Sequence, residues 1–146
     1  MHFYLLQLRL FWFNTATRHG RVDVMEWARR QGYLDVWEQP DFNLYTIGSR
    51  TCRKAAEYGQ LDVLQWLREK GCDLNGKTCE AAACNGHLSH PQWVRENGCD
   101  WDEDTCSADA KGGHLSILQW VRENGCDWDE YACESAARKG HFSCLQ

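Results

Sequence analysis

Thr105-Cys106-Ser107-Ala108-Asp109-Ala110-Lys111-Gly112-Gly113-His114-Leu115-Ser116-Ile117-Leu118-Gln119-Trp120-Val121-Arg122-Glu123-Asn124-Gly125-Cys126-Asp127 is the stretch that decides the fold. Thr105–Lys111 predicts a short helix, and Gly112-Gly113 closes it. Leu115–Asn124 predicts a second helix, with Leu115, Ile117, Leu118, Trp120 and Val121 forming a broad apolar stripe at helical spacing. Gly125 ends it, because glycine enters the left-handed conformation at little cost. Asp102, Glu103 and Asp104, like Asp129 and Glu130, precede or open a first helix, where a carboxylate caps exposed N–H groups and complements the dipole. One unit is therefore a helical hairpin.

The hairpin echoes along the chain at steps of 27: Cys52, Cys79, Cys106 and Cys133; Gly59, Gly86, Gly113 and Gly140; Trp66, Trp93 and Trp120; Gly71, Gly98 and Gly125. Leu61, Leu88, Leu115 and Phe142 keep the same step. A fixed period in this range marks a stacked array, since one unit cannot bury its apolar side alone. The 146 residues thus predict one continuous all-α repeat domain. Its units are a divergent 1–32, an insertion 33–49, full repeats 50–74, 75–101 and 102–128, and a truncated repeat 129–146. The net charge of −5, with dispersed acids, excludes the clustered basic footprint of a nucleic-acid binder. No apolar run reaches the ~18 residues that cross a bilayer. Phe3–Phe13 lacks the basic flank and cleavage site of a secretory signal, so an intracellular, reducing compartment is expected, with the nine cysteines as thiols.

Ala55-Ala56-Glu57-Tyr58-Gly59-Gln60-Leu61-Asp62-Val63-Leu64, followed by Gly71-Cys72-Asp73-Leu74-Asn75, resembles the ankyrin repeat's Ala-Ala-x-x-Gly-His-x-x-Val-Val and Gly-Ala-Asp-x-Asn signatures. Gly-His recurs at Gly86-His87, Gly113-His114 and Gly140-His141. The resemblance runs from Asn14 to the end, apart from the insertion. An ordinary ankyrin unit has about 33 residues; the residues missing here fall between Asp73 and Cys79 and at equivalent places, so the β-hairpin fingers should be short or absent. Arg50-Thr51-Cys52-Arg53 stands where the family has Thr-Pro-Leu-His. The pattern is similar to the short, Trp- and Cys-rich ankyrin variant of protists and large DNA viruses. The resemblance implies a solenoid that binds a partner protein on its concave side.

With short fingers, the outward positions of the first helices should carry that binding. They are Arg53, Lys54, Glu57 and Tyr58; Glu80, Cys84 and Asn85; Ser107 and Lys111; and Glu134, Arg138 and Lys139. A spacer within a longer array is the main alternative, and a Cys/His metal or thiol-redox protein a lesser one. The Cys pairs seven apart lack the Cys-x2–4-Cys knuckle of structural zinc sites. Buried thiol is the simpler role. Disulfides between like positions of neighbouring repeats are excluded, since packed helices lie about 8–10 Å apart. Cys84, on the outer side of its helix, is the thiol expected to react. No phosphate loop, nucleophile elbow or paired acid–base carboxylates are present, so neither an enzyme nor a cofactor is expected. The Gly-His histidines read as turn residues.

Several irregularities carry their own expectations. Trp27, Trp66, Trp93 and Trp120 should fill the space between repeats. Trp101 and Trp128, edged by aspartates, either pack on the next repeat or meet a basic partner. The Pro40-containing insertion, Tyr33–Ser49, predicts a long loop or a short helix, and is read first as a tolerated insertion. His90-Pro91 should make its helix start late or bend. Asp109 replaces alanine, which is costly unless the carboxylate reaches solvent or a donor; repeat decay is the plain reading. Leu145-Gln146 stops within a repeat, which predicts an open apolar face and end-to-end self-association.

Overall fold

The structure is a computed structural model; it describes residues 2–33, 44–86, 89–99, 103–127 and 129–145. Those residues are all-helical, with no strand among them. Among the described residues nine α-helices follow in order: α1 (His2–Arg18), α2 (Val22–Arg30), α3 (Leu44–Glu57), α4 (Leu61–Glu69), α5 (Gly76–Cys84), α6 (Ser89–Glu96), α7 (Glu103–Gly112), α8 (Leu115–Glu123) and α9 (Glu130–Lys139), before a 3-10 turn at Phe142–Leu145. No described helix is long and apolar enough to cross a membrane. The chain forms two compact units, Met1–Asp73 and Leu74–Gln146.

In the N-terminal unit α1 packs on α2 and on α3, α3 on α4, and α2 on α4. Its core holds Phe13, Ala16, Met25, Ala28, Cys52, Ala55, Ala56, Val63, Leu64, Trp66 and Leu67. In the C-terminal unit the first helices α5, α7 and α9 pack in sequence, with α6 against α5 and α8 against α7. Small residues at matched positions permit that approach: Thr78, Thr105 and Ala132 are buried, as are Ala82 and Ala136, and Ala83 and Ala110. Ile117, Leu118 and Val121 line the inner side of α8.

Caps and stops follow the predicted chemistry. Asn75 accepts from the Thr78 N–H at 3.1 Å, and Asp129 from the Ala132 N–H at 2.9 Å. Gly71, Gly98 and Gly125 end α4, α6 and α8 at φ near +90°, a region disfavoured for any side chain. Pro91 is the third residue of α6, in the first turn, where its missing N–H has no helical role. The insertion divides: residues 44–49 are the opening of α3, while 34–43, including Pro40, lie outside the described residues.

Gly86 and Gly113, each before a Gly-His histidine, have a second purpose. A Cβ on Gly86 would collide with the His114 ring, and one on Gly113 would lie 2.5 Å from the His141 ring. His114 Nε2 also lies 3.2 Å from Cys84 O, so with its proton there it hydrogen-bonds back to the preceding hairpin. Gln60 substitutes for histidine at the same register. Its amide lies over Gly20 and donates to Arg18 O at 3.0 Å. The residue after the glycine thus locks one hairpin to its predecessor, a role beyond turn geometry. His87 lies outside the described residues.

Two expectations need correction. The cysteines are not all thiols: Cys79–Cys99 and Cys106–Cys126 are disulfides, with Cα–Cα distances of 6.6 and 6.3 Å. Each joins a first helix to the turn that ends its own hairpin. That spacing of 20 residues brings the chain back to its starting level, within the usual disulfide range. The inference of a reducing compartment loses its premise with them. Trp27 is not core but 48% exposed, stacked on Trp12 with ring centroids 6.0 Å apart and tilted against Tyr33 at 5.7 Å. Trp66 is buried as expected, while Trp93 and Trp120 are half-buried. Asp109 reaches neither solvent nor donor: it is fully buried, and neither carboxylate oxygen has a hydrogen-bond partner among the described residues. Burial pushes its carboxyl up to about 8.

Candidate partner-binding surface

The outward residues of α3 form one connected group. Glu57 accepts from Arg53 Nε at 2.9 Å and from Lys54 Nζ at 2.8 Å. The i,i+4 and i,i+3 spacings place both cations on the side of the helix that bears the carboxylate. Burial raises Glu57, but Lys54 and then Arg53 outweigh it and leave the carboxyl below its usual value. Tyr58, at the end of the same helix, is 40% exposed. Lys54 Nζ lies 5.8 Å from its ring centroid, and Arg18 Cζ, from α1, lies 5.4 Å away. Cations at that range are attracted to the ring quadrupole.

Arg18 was absent from the sequence-based set. Its signal was present in the register, since aligning Phe13 with Cys52 places Arg18 opposite Glu57. The group carries three cations and one carboxylate around an exposed aromatic ring, and so offers a partner carboxylate guanidinium hydrogen bonds beside an apolar surface.

In the C-terminal unit the predicted residues fall in matched rows on α5, α7 and α9. Glu80, Ser107 and Glu134 form one row, and Cys84, Lys111 and Arg138 a second, with Asn85 and Lys139 flanking. These side chains are half-buried or exposed, while Ala81, Ala82 and Ala83 on α5, Ala108, Asp109 and Ala110 on α7 and Ala136 on α9 are buried between them. Glu80 is paired with Lys77 at 2.8 Å, and Glu134 with Arg138 at 2.6 Å. Asn85 Nδ2 donates to Ala81 O at 3.1 Å. Cys84 is exposed, and its thiol points at Ala108 O, 3.5 Å away on α7. Here Glu80, Asn85, Glu134 and Arg138 are tied within their own helix and Cys84 to the next one. The α3 group is the denser of the two.

A second polar centre was not foreseen. Glu26, on α2, accepts from Trp66 Nε1 at 3.0 Å and from Arg29 at 2.8 Å, with Lys70 at 3.8 Å. Arg29 and then Trp66 hold its carboxyl at about 2. Its partner Trp66 lines a groove of about 310 Å³ together with Gly20, Asp23, Asp62 and Glu69 among others. Its bonds tie α2 to α4, which is a structural task. The position equivalent to Glu26 in the other hairpins is glutamine, as at Gln65, so periodicity carried no signal for it.

Among the described residues no three His, Cys, Asp or Glu side chains are grouped to hold a metal ion. Trp101 and Trp128 lie outside the described residues. No family model matches the chain, and no curated protein matches it.

Proposed function

We propose that the chain is an ankyrin-like solenoid of short repeats that acts as a non-catalytic scaffold, binding a partner protein through the outward residues of its first helices. The observation that supports this most is the contrast between constancy and variation on those helices. Buried positions repeat small residues, Thr78 with Thr105 and Ala82 with Ala136, whereas exposed positions change from Cys84 to Lys111 to Arg138. A framework that fixes backbone position while side-chain type varies is suited to display. The Arg18, Arg53, Lys54 and Tyr58 group gives the display a centre, because clustered Arg and aromatic side chains dominate interface energetics. Its three cations favour an acidic partner surface.

A second reading is a structural spacer, favoured by one observation: Glu80 and Glu134 are already paired with Lys77 and Arg138, leaving those faces balanced without a partner. The two readings separate on binding. The native chain and a variant with Arg53, Lys54, Glu57, Tyr58, Lys111 and Arg138 changed to alanine are used to capture proteins from cell extract, after equal helicity is confirmed. The captured protein is then titrated against both. Saturable binding to the native chain, weakened at least about tenfold in the variant, supports the scaffold. Absence of saturable binding, or equal affinity for both chains, overturns it in favour of the spacer.

A further inference from the structure

Cys52 and Cys72 stand 20 residues apart, the same separation as the bonded pairs Cys79–Cys99 and Cys106–Cys126. Their places match as well. In each set the first cysteine follows a buried threonine on the first helix of a hairpin, and the second follows the left-handed glycine that ends the second helix. Cys52 and Cys72 are both buried and lie outside any disulfide. They already touch: a hydrogen bond between the two thiols holds Cys72 below the usual thiol range and Cys52 above it. Gly48, one turn before Cys52 on α3, makes room for the approach, since a Cβ there would lie 2.9 Å from Cys72 Sγ.

We propose that Cys52 and Cys72 are the third member of this set, an oxidation site that closes to a disulfide by exchange with a small-molecule disulfide. The Cys72 thiol loses its proton to solvent, and its thiolate attacks one sulfur of R–S–S–R. A bond forms between Cys72 and that sulfur, the R–S–S–R bond breaks, and RS⁻ leaves and takes a proton. Cys52, deprotonated in turn, attacks the Cys72 sulfur, forms the Cys52–Cys72 bond and expels the second RS⁻, which is protonated likewise. Two cysteine thiols are oxidised and one small disulfide is reduced to two thiols. Cys72 is the attacking sulfur because it is the one favoured as thiolate. It sits in a turn rather than a helix, between Gly71 at φ +87° and the exposed Arg68–Asp73 pair, so it reaches solvent by movement of that turn, without unwinding α4. The crosslink fastens α3, which carries Arg53, Lys54 and Glu57, to the end of its own hairpin.

The test uses the whole chain, refolded from denaturant in buffers of graded oxidised-to-reduced glutathione ratio, then alkylated, digested and mapped by mass. The expected result is a peptide joining Cys52 to Cys72, lighter by two hydrogens than its reduced parts, in the chains that carry the other two bonds. The linked chain should also resist urea more than a Cys52→Ala variant brought to the same buffer. Alkylation of both Cys52 and Cys72 at every ratio that links the other two pairs overturns the proposal. So does the capture of either cysteine by Cys84 or Cys133 in place of its neighbour.

Discussion

The N-terminal and C-terminal units are written in one 27-residue register, yet they are held together by different means. Leu74–Gln146 closes two hairpins covalently, through Cys79–Cys99 and Cys106–Cys126, and buries a carboxyl, Asp109, with no hydrogen-bond partner among the described residues. Met1–Asp73 leaves the matching cysteines as a hydrogen-bonded thiol pair, and joins α2 to α4 through Glu26 and Trp66. The difference teaches that the repeat fixes the path of the backbone, while single substitutions at fixed positions decide which chemistry holds it.

The covalent side of that contrast should show the largest effect. A disulfide closing a loop of this length contributes about 3 kcal/mol, mainly by restricting the unfolded chain. Changing Cys79 and Cys99 together to alanine should therefore lower the unfolding free energy of the C-terminal unit, read from urea titration in non-reducing buffer, by about that much. The same double change at Cys52 and Cys72, in the reduced chain, should cost less, because only two small buried groups are lost. Equal losses in the two units would remove the contrast.

Asp109 should act in the opposite direction. Its carboxyl titrates near 8 in the folded unit against 3.8 as the ordinary value, with burial as the cause. The folded state therefore holds a proton that the unfolded state has released throughout that window. Stability is greatest below about pH 4, falls by up to about 1.4 kcal/mol per unit as pH rises toward 8, and then levels off. Asp109→Ala restores the residue type of Ala82 and Ala136 and should stabilise the unit by about 3 kcal/mol at pH 8.5. Urea unfolding at pH 5 and pH 8.5 checks both the gain and the loss of slope. Glu26 supplies the counterpart in the other unit with reversed sign. Its lowered carboxyl gives a contribution present above about pH 4.5 and lost as pH falls toward 2. Acid titration followed by Trp66 fluorescence should show that loss, and Glu26→Gln should abolish it.

The glycines that end the two kinds of helix, first and second in a hairpin, separate next. Gly86→Ala drives a methyl into the His114 ring and strains a backbone at φ +74°, whereas Gly125→Ala meets open space and bears only the strain of φ +94°. The first should cost about 2 kcal/mol and the second about 1, by thermal unfolding. A His114→Ala background should narrow the gap.

Much of this was legible in the sequence because the period is strict. The hairpins, the stop glycines and the cap at Asp129 follow from spacing and from the known preferences of helix ends, whereas the cap at Asn75 is seen only in the structure. Asp109 stood out against the repeat, and its burial makes the anomaly real. What escaped depended on distances between elements. The cysteine spacings that stand out in the sequence are 7 and 27 residues, while the chain returns to itself at 20. The lock made by His114 and Gln60 requires knowing which hairpin lies behind the glycine. The Glu26–Trp66 bond joins residues 40 apart through a position that is glutamine elsewhere. Register alone places Trp27 in the core, although burial depends on what stands opposite; it stacks on Trp12, tilts against Tyr33 and stays 48% exposed.

The smallest expected effect bears most directly on function. Glu57→Gln removes the carboxylate shared by Arg53 and Lys54, and Glu134→Gln removes the one paired with Arg138 in the other unit. Exposed ion pairs contribute about 0.2–1 kcal/mol, so each variant should change stability by less than about 1 kcal/mol, with Glu57, the more covered of the two, giving the larger change. That small cost is what a display surface requires, because residues kept for a partner are poorly spent on the fold. A loss of 2 kcal/mol or more in Glu57→Gln would mean that Arg53, Lys54 and Tyr58 are held in place to brace α3, and the binding proposal would lose its centre. A small loss leaves two cations released from their carboxylate, and an acidic partner should then bind the variant more tightly than the native chain.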